Sequence, residues 1–151
     1  MKKSEKCKLH TNKDSEFFYN YVYLPEDRNL LMNINLAAHK LYIKLKNLNI
    51  NLLEISDYNR RYLGDYTKDL RKTLQNYTYI LYWSLVSTNC RFENLVFLEY
   101  GGGSGILSLL AKELKIGTVI YNDIYDISCK DAKVIGGINR KSSRLLCQWR
   151  Y

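Results

Sequence analysis

A short apolar run that ends at a glycine cluster constrains this chain more than any other feature. Residues 95–98 (LVFL) are continuously apolar, and four of the five residues at 101–105, the glycine loop, are glycine. Helical spacing of apolar residues follows over 106–114, and a β-branched run over 118–121 precedes a last helical pattern that ends near Gly136. The order strand, helix, strand, helix predicts a parallel α/β sheet with right-handed crossovers.

The chain before this segment predicts helices. Apolar residues recur at three- and four-residue steps over 30–45, with Asp27 as the N-cap and an end near Asn47. A second pattern starts near Ser56, and its inward face consists of Tyr58, Tyr62, Tyr66, Leu70 and Leu74. A third apolar stretch starts at Tyr77.

These patterns divide the chain into three parts. We expect residues 1–93 to form an all-helical N-terminal region and 94–138 to form the βαβα segment of a partial Rossmann-like domain. Residues 139–151 are expected to form an irregular, basic tail. In the last helix, Asp126 or Ser128 is the expected cap.

Composition narrows the function classes. With 151 residues, 46% of them hydrophobic, the chain suits one globular core, and it has neither a membrane-length apolar stretch nor a secretory leader. We therefore expect a cytoplasmic protein without membrane partners. The four cysteines form no Cys-x-x-Cys pair, so no metal site is expected.

The positive charge is concentrated near the C-terminus. The net charge is +8, and residues 132–151 contain five basic side chains and no acidic one. The residues before 132 have the charge balance of an ordinary protein surface. Nucleic-acid binding is therefore not indicated. Arg60 and Arg61 are expected on a solvated helix face rather than in an anion site.

Two familiar nucleotide-binding loops fit the glycine loop poorly. A phosphate loop requires Lys and Ser or Thr after its last glycine, where this chain has Ile106 and Leu107. The dinucleotide pattern Gly-x-Gly-x-x-Gly is approached only by Gly103, Gly105 and Ser108.

The remaining pattern, Glu-x-Gly-x-Gly-x-Gly, resembles motif I of the class I S-adenosylmethionine-dependent methyltransferases. Asp123, at the end of the next strand, matches the second signature of that family. The resemblance implies that the acid before the glycines orients the loop and the amino-acid part of the cofactor, and that Asp123 binds the ribose hydroxyls. The implied S-adenosyl-L-methionine-binding residues are Glu99, Tyr100, Gly101, Gly102, Gly103, Ser104, Gly105 and Asp123.

Other interpretations stay open at this stage. The loop could be an empty turn with Asp123 capping the next helix, part of an NAD-binding Rossmann protein, or a vestigial nucleotide site in a non-catalytic helical interaction module. Asp126 is expected to be a helix cap rather than a ribose ligand. Neither a catalytic residue nor a methyl acceptor can be named.

The resemblance also implies further strands, the next of which would end in an adenine-binding acid. The tail lacks a strand pattern. If residues 144–151 are written in AT-rich codons and the same bases are read one base later, they encode an extended segment that ends in Gly-Asp. We therefore expect a truncated product of a frameshift between about Gly136 and Arg144. Weak or absent activity and self-association through an open sheet edge would follow.

Overall fold

The computed structural model describes residues 27–137 together with the backbone of 146–147, and it leaves out the side chains of 65–69. The α-helices of this part are α1 (Arg28–Lys46), α2 (Asp57–Leu85), α3 (Ile106–Glu113) and α4 (Asp126–Gly136). The strands are β1 (Val96–Tyr100), β2 (Thr118–Asn122) and β3 (Leu146–Cys147). Two short 3₁₀ turns, Ile50–Leu52 and Phe92–Asn94, precede α2 and β1. Within the described residues, no helix combines the length and apolarity that a membrane span needs.

The predicted start and end of helix α1 are confirmed. The Asp27 carboxylate accepts a hydrogen bond from the Leu30 amide at 2.9 Å and so caps the first turn. Asn47 follows the last turn, and its amide donates to the Ile43 carbonyl. The apolar stripe faces the core, with Ile34 and Ala38 fully buried.

Helix α2 is one continuous helix of 29 residues, whereas the sequence pattern suggested a separate stretch from Tyr77. The predicted inward face is confirmed at Leu70 and Leu74, which are buried, but it is wrong at the start of the helix. Tyr58 is exposed and stacks on Tyr62 with 6.2 Å between ring centroids, whereas Asn59 and Leu63 are buried. The first turns of the helix are therefore rotated by about one residue relative to the two tyrosines.

A buried carboxylate explains this rotation. Asp131 of α4 accepts hydrogen bonds from the Ser56 amide at 3.1 Å and from the Asn59 side-chain amide at 2.8 Å. Because an unpaired buried carboxylate is costly, these donors must face α4. Asn59 therefore points inward, and its neighbour Tyr58 points to solvent.

The sheet confirms the predicted parallel pairing. Strand β1 runs parallel to β2 in a register that begins with Val96 opposite Thr118 and ends with Tyr100 opposite Asn122. Strand β3 adds a short parallel pairing to the other edge of β2, with Leu146 opposite Ile120. The expectation of an irregular tail is therefore wrong at these two residues, where the unpaired backbone groups at the edge of β2 accept a partner strand. The other residues of 139–151 lie outside the described part of the chain.

The helical region and the βα segment share one core. A single cluster of buried side chains includes Leu41 of α1, Leu74 of α2, Leu110 of α3, Val119 of β2 and Ile135 of α4. The boundary near residue 94 therefore marks a change of secondary structure, not a gap between two cores. On β1, in contrast, Val96, Leu98 and Tyr100 are exposed on the opposite face of the sheet.

Candidate functional site

The glycine loop lies at the carboxyl end of β1 and bends toward β2. The Gly101 amide donates to the Asn122 carbonyl at 2.8 Å, which ties the start of the loop to the last residue of β2. Three glycines have positive φ, 69° at Gly101, 53° at Gly103 and 73° at Gly105. These are the three glycines of the Glu-x-Gly-x-Gly-x-Gly pattern, so the pattern corresponds to a backbone shape that other residues rarely adopt.

The two sides of the loop differ. A Cβ atom added at Gly101 or Gly103 would meet no atom within 4 Å, so the backbone there faces open space. A Cβ atom at Gly102 would lie 2.6 Å from both Glu99 and Tyr121. The inner side of the loop is thus packed on the strands, whereas the outer side leaves room for a ligand against the backbone.

Glu99 caps helix α3. Because the N-cap residue of α3 is Gly105, it provides no side chain for this purpose. Glu99 accepts a hydrogen bond from the Ser108 amide at 2.9 Å and a second one from the Ser108 hydroxyl. An acid before the glycines therefore satisfies a first-turn amide of the helix and couples β1 to α3.

Burial raises the pKa of Glu99 above its ordinary value, since the side chain is only 7% exposed. The two hydrogen bonds from Ser108 oppose this shift, and the negative charge of Asp123 adds to it. The folded protein therefore binds a proton at Glu99 more readily than the unfolded chain does.

This pKa shift predicts a pH dependence of the free energy of unfolding, and the substitution Glu99→Gln should remove it. Since the folded state holds the proton at higher pH, the contribution of Glu99 to the free energy of unfolding decreases as pH rises from the ordinary glutamate pKa to the raised one. We expect the unfolding free energy of the wild type, relative to Glu99→Gln, to be larger at about pH 5 than at about pH 8 in urea titrations. Exposed Glu54 offers a matched control, Glu54→Gln. A difference that stays constant or grows with pH would contradict the prediction.

Asp123 lies directly after β2 and faces the loop. One carboxylate oxygen accepts from the Gly103 amide at 2.8 Å, and the other accepts from the Tyr125 amide at 2.9 Å. Tyr125 is the N-cap of α4 and makes no side-chain capping bond. Asp126 and Ser128 lie inside the helix, so the expectation that either of them is the cap was wrong. Asp123 organises the turn into α4 with one oxygen and the glycine loop with the other.

The remaining predicted loop residues lie on different sides of the site. Ser104 is buried, whereas Tyr100 is 83% exposed at the end of β1. Ile124, which follows Asp123 in the sequence, is also exposed.

Sequence reasoning also missed Tyr121 and Ser108. Tyr121 is opposite Glu99 in the β1–β2 register, and its hydroxyl donates to the Gly103 carbonyl at 2.5 Å. Since strand side chains alternate, its place two residues before Asp123 was a signal that both face the loop. Ser108 was the one polar residue in the apolar stretch that opens α3.

The arginines of α2 do not join the site. The Arg60 guanidinium donates to the carbonyls of Ile50, Leu53 and Ile55, which fixes the turn before α2. Arg61 is exposed on the helix surface, as expected. Arg60 was expected on the same solvated face, but its side chain is half-buried against the preceding turn.

Among the residues whose side chains the structure describes, no group of three or more His, Cys, Asp or Glu is arranged to hold a metal ion. Two carboxylates, the loop backbone and the exposed side chains around them thus make up the chemistry of the site. Comparison of the chain with known protein families, curated proteins and solved structures found no match.

Proposed function

We propose that the chain binds S-adenosyl-L-methionine at the glycine loop and belongs to a methyltransferase lineage. The observation that carries this proposal is the placement of two carboxylates, Glu99 under the loop and Asp123 beside it, with open space along Gly101 and Gly103. The sulfonium and ammonium groups of this cofactor are cationic, and carboxylates attract them.

The same placement favours this cofactor over a dinucleotide. A dinucleotide binds through its anionic pyrophosphate at the helix N-terminus that follows the first strand. In this chain, Glu99 already accepts from the Ser108 amide in the first turn of α3. A pyrophosphate would compete with a buried carboxyl for that amide. This competition disfavours an anion at the start of α3.

Unused acceptor positions, open backbone and exposed apolar side chains indicate which residues would hold the cofactor. A carboxylate can accept about four hydrogen bonds, two on each oxygen. The amides of Gly103 and Tyr125 use one position on each Asp123 oxygen. The ribose hydroxyls can donate to the positions that remain. The bare backbone at Gly101 and Gly103 accommodates the methionine part, and Ile124 offers apolar contact to the base. When bound, the cofactor supplies a methyl group on a sulfonium sulfur, and its transfer depends mainly on positioning the two reactants.

Calorimetry on the 151-residue chain tests this function. We expect S-adenosylmethionine and S-adenosylhomocysteine to bind with one site per chain and NAD⁺ not to bind. Saturable binding of NAD⁺ instead would establish a dinucleotide site. If none of the three ligands binds at millimolar concentration, the loop is not a nucleotide site, and the interaction-module hypothesis takes its place.

A further inference from the structure

Tyr121 of β2 and Asp123, directly after β2, hold the backbone of one loop residue, Gly103. The Tyr121 hydroxyl donates to the Gly103 carbonyl at 2.5 Å, and an Asp123 oxygen accepts from the Gly103 amide at 2.8 Å. Because the two side chains are two residues apart, the alternation of strand side chains directs both to the same face. Both polar backbone groups of Gly103 are thus bound, the carbonyl by Tyr121 and the amide by Asp123.

The Tyr121 ring also supports the loop from below. A Cβ atom at Gly102 would lie 2.6 Å from the ring, and one at Gly105 would lie 3.4 Å from it. The loop backbone on either side of Gly103 therefore rests against this ring. Tyr121 is 0% exposed, so a ligand on the open side of the loop does not reach its side chain.

We propose that Tyr121 is the positioning residue that sets the shape of the glycine loop for S-adenosylmethionine. This inference rests on the function proposed above. Glycine at positive φ restrains its own backbone weakly, so the peptide at Gly103 needs an external constraint to keep one orientation. The hydroxyl of Tyr121 supplies that constraint at the carbonyl. A loop that is held in its binding shape before the ligand arrives binds more tightly, because less ordering is required on binding.

The test compares Tyr121→Phe with Tyr82→Phe. Tyr82 is also buried, at 2% exposure, and its hydroxyl accepts from the Asp27 amide at 3.0 Å, between α2 and the start of α1. Each variant keeps its ring and loses one hydrogen bond to the backbone, so both should lower the urea midpoint to a similar extent. We expect Tyr121→Phe to weaken S-adenosylmethionine binding by about tenfold and Tyr82→Phe to leave it within about twofold.

Equal affinity of Tyr121→Phe and wild type would overturn the proposal, and so would equal weakening in both variants. Hydrogen exchange of the Gly103 amide, measured by NMR without ligand, provides a second readout. We expect faster exchange at Gly103 in Tyr121→Phe but not in Tyr82→Phe. If the wild type does not bind the cofactor, the proposed function fails. The exchange measurement then decides whether Tyr121 holds the loop, and unchanged exchange rejects that role.

Discussion

Gly117→Ala is expected to lower the free energy of unfolding by about 3 kcal/mol, because its Cβ atom would overlap main-chain atoms. That atom would lie 1.9 Å from the Glu93 carbonyl oxygen and 2.7 Å from its carbon. A backbone carbonyl cannot rotate away as a flexible side chain can. The hydrogen bond from the Gly117 amide to the Phe92 carbonyl, 2.9 Å long, would also be distorted. Urea denaturation followed by far-ultraviolet circular dichroism measures the change.

Gly64→Ala is the matched control for this prediction. Gly64 lies within α2, and a Cβ atom there would meet nothing within 4 Å. Since alanine is the better helix former, we expect this variant to be more stable than the wild type by roughly 1 kcal/mol. If Gly117→Ala unfolds at the wild-type urea midpoint, the close approach of the turn before β1 to the start of β2 is wrong.

Asp123→Ala is expected to weaken S-adenosylmethionine binding by about 1.5–3 kcal/mol, a loss of about 10- to 150-fold in affinity. The carboxylate is the group expected to accept the ribose hydroxyls, and it also holds the Gly103 amide at 2.8 Å. Truncation would therefore remove a ligand contact and loosen the loop together. Calorimetry should be done at a temperature where the variant remains folded, as judged by its thermal transition.

Asp126→Ala controls for the loss of a nearby negative charge. Asp126 is exposed in the first turn of α4. We expect its removal to change affinity by less than about threefold, because exposed charges are well screened. If Asp126→Ala weakens binding as much as Asp123→Ala, the ribose assignment is wrong and the effect is one of overall charge.

The order of elements after residue 94 was predictable because each element has a local signal. An apolar run followed by glycines ends a strand, and apolar residues at helical steps define α3. The three positive-φ glycines were recognisable for the same reason, since only glycine adopts that backbone shape without strain.

The inward face of the first turns of α2 could not be predicted in this way. Tyrosine is large and apolar enough to imitate a core pattern, yet Tyr58 and Tyr62 stack on the helix surface. The helix orientation depends on Asp131, a residue of α4 that is far from α2 in the sequence. A long-range buried hydrogen bond has no periodic signature, and its cost when unpaired exceeds the local preference.

By itself, then, the sequence determined the two parallel strands, the loop between β1 and α3, and the acids that stand at the strand ends. Each depends on the backbone preferences and spacing of neighbouring residues. Only the tertiary structure decided what those acids do. Glu99 caps α3 because Gly105 lacks a side chain, and Tyr121 and Asp123 bind Gly103 because the parallel register brings β2 under the loop. Those partners are assigned by packing between distant segments, which local sequence patterns do not encode.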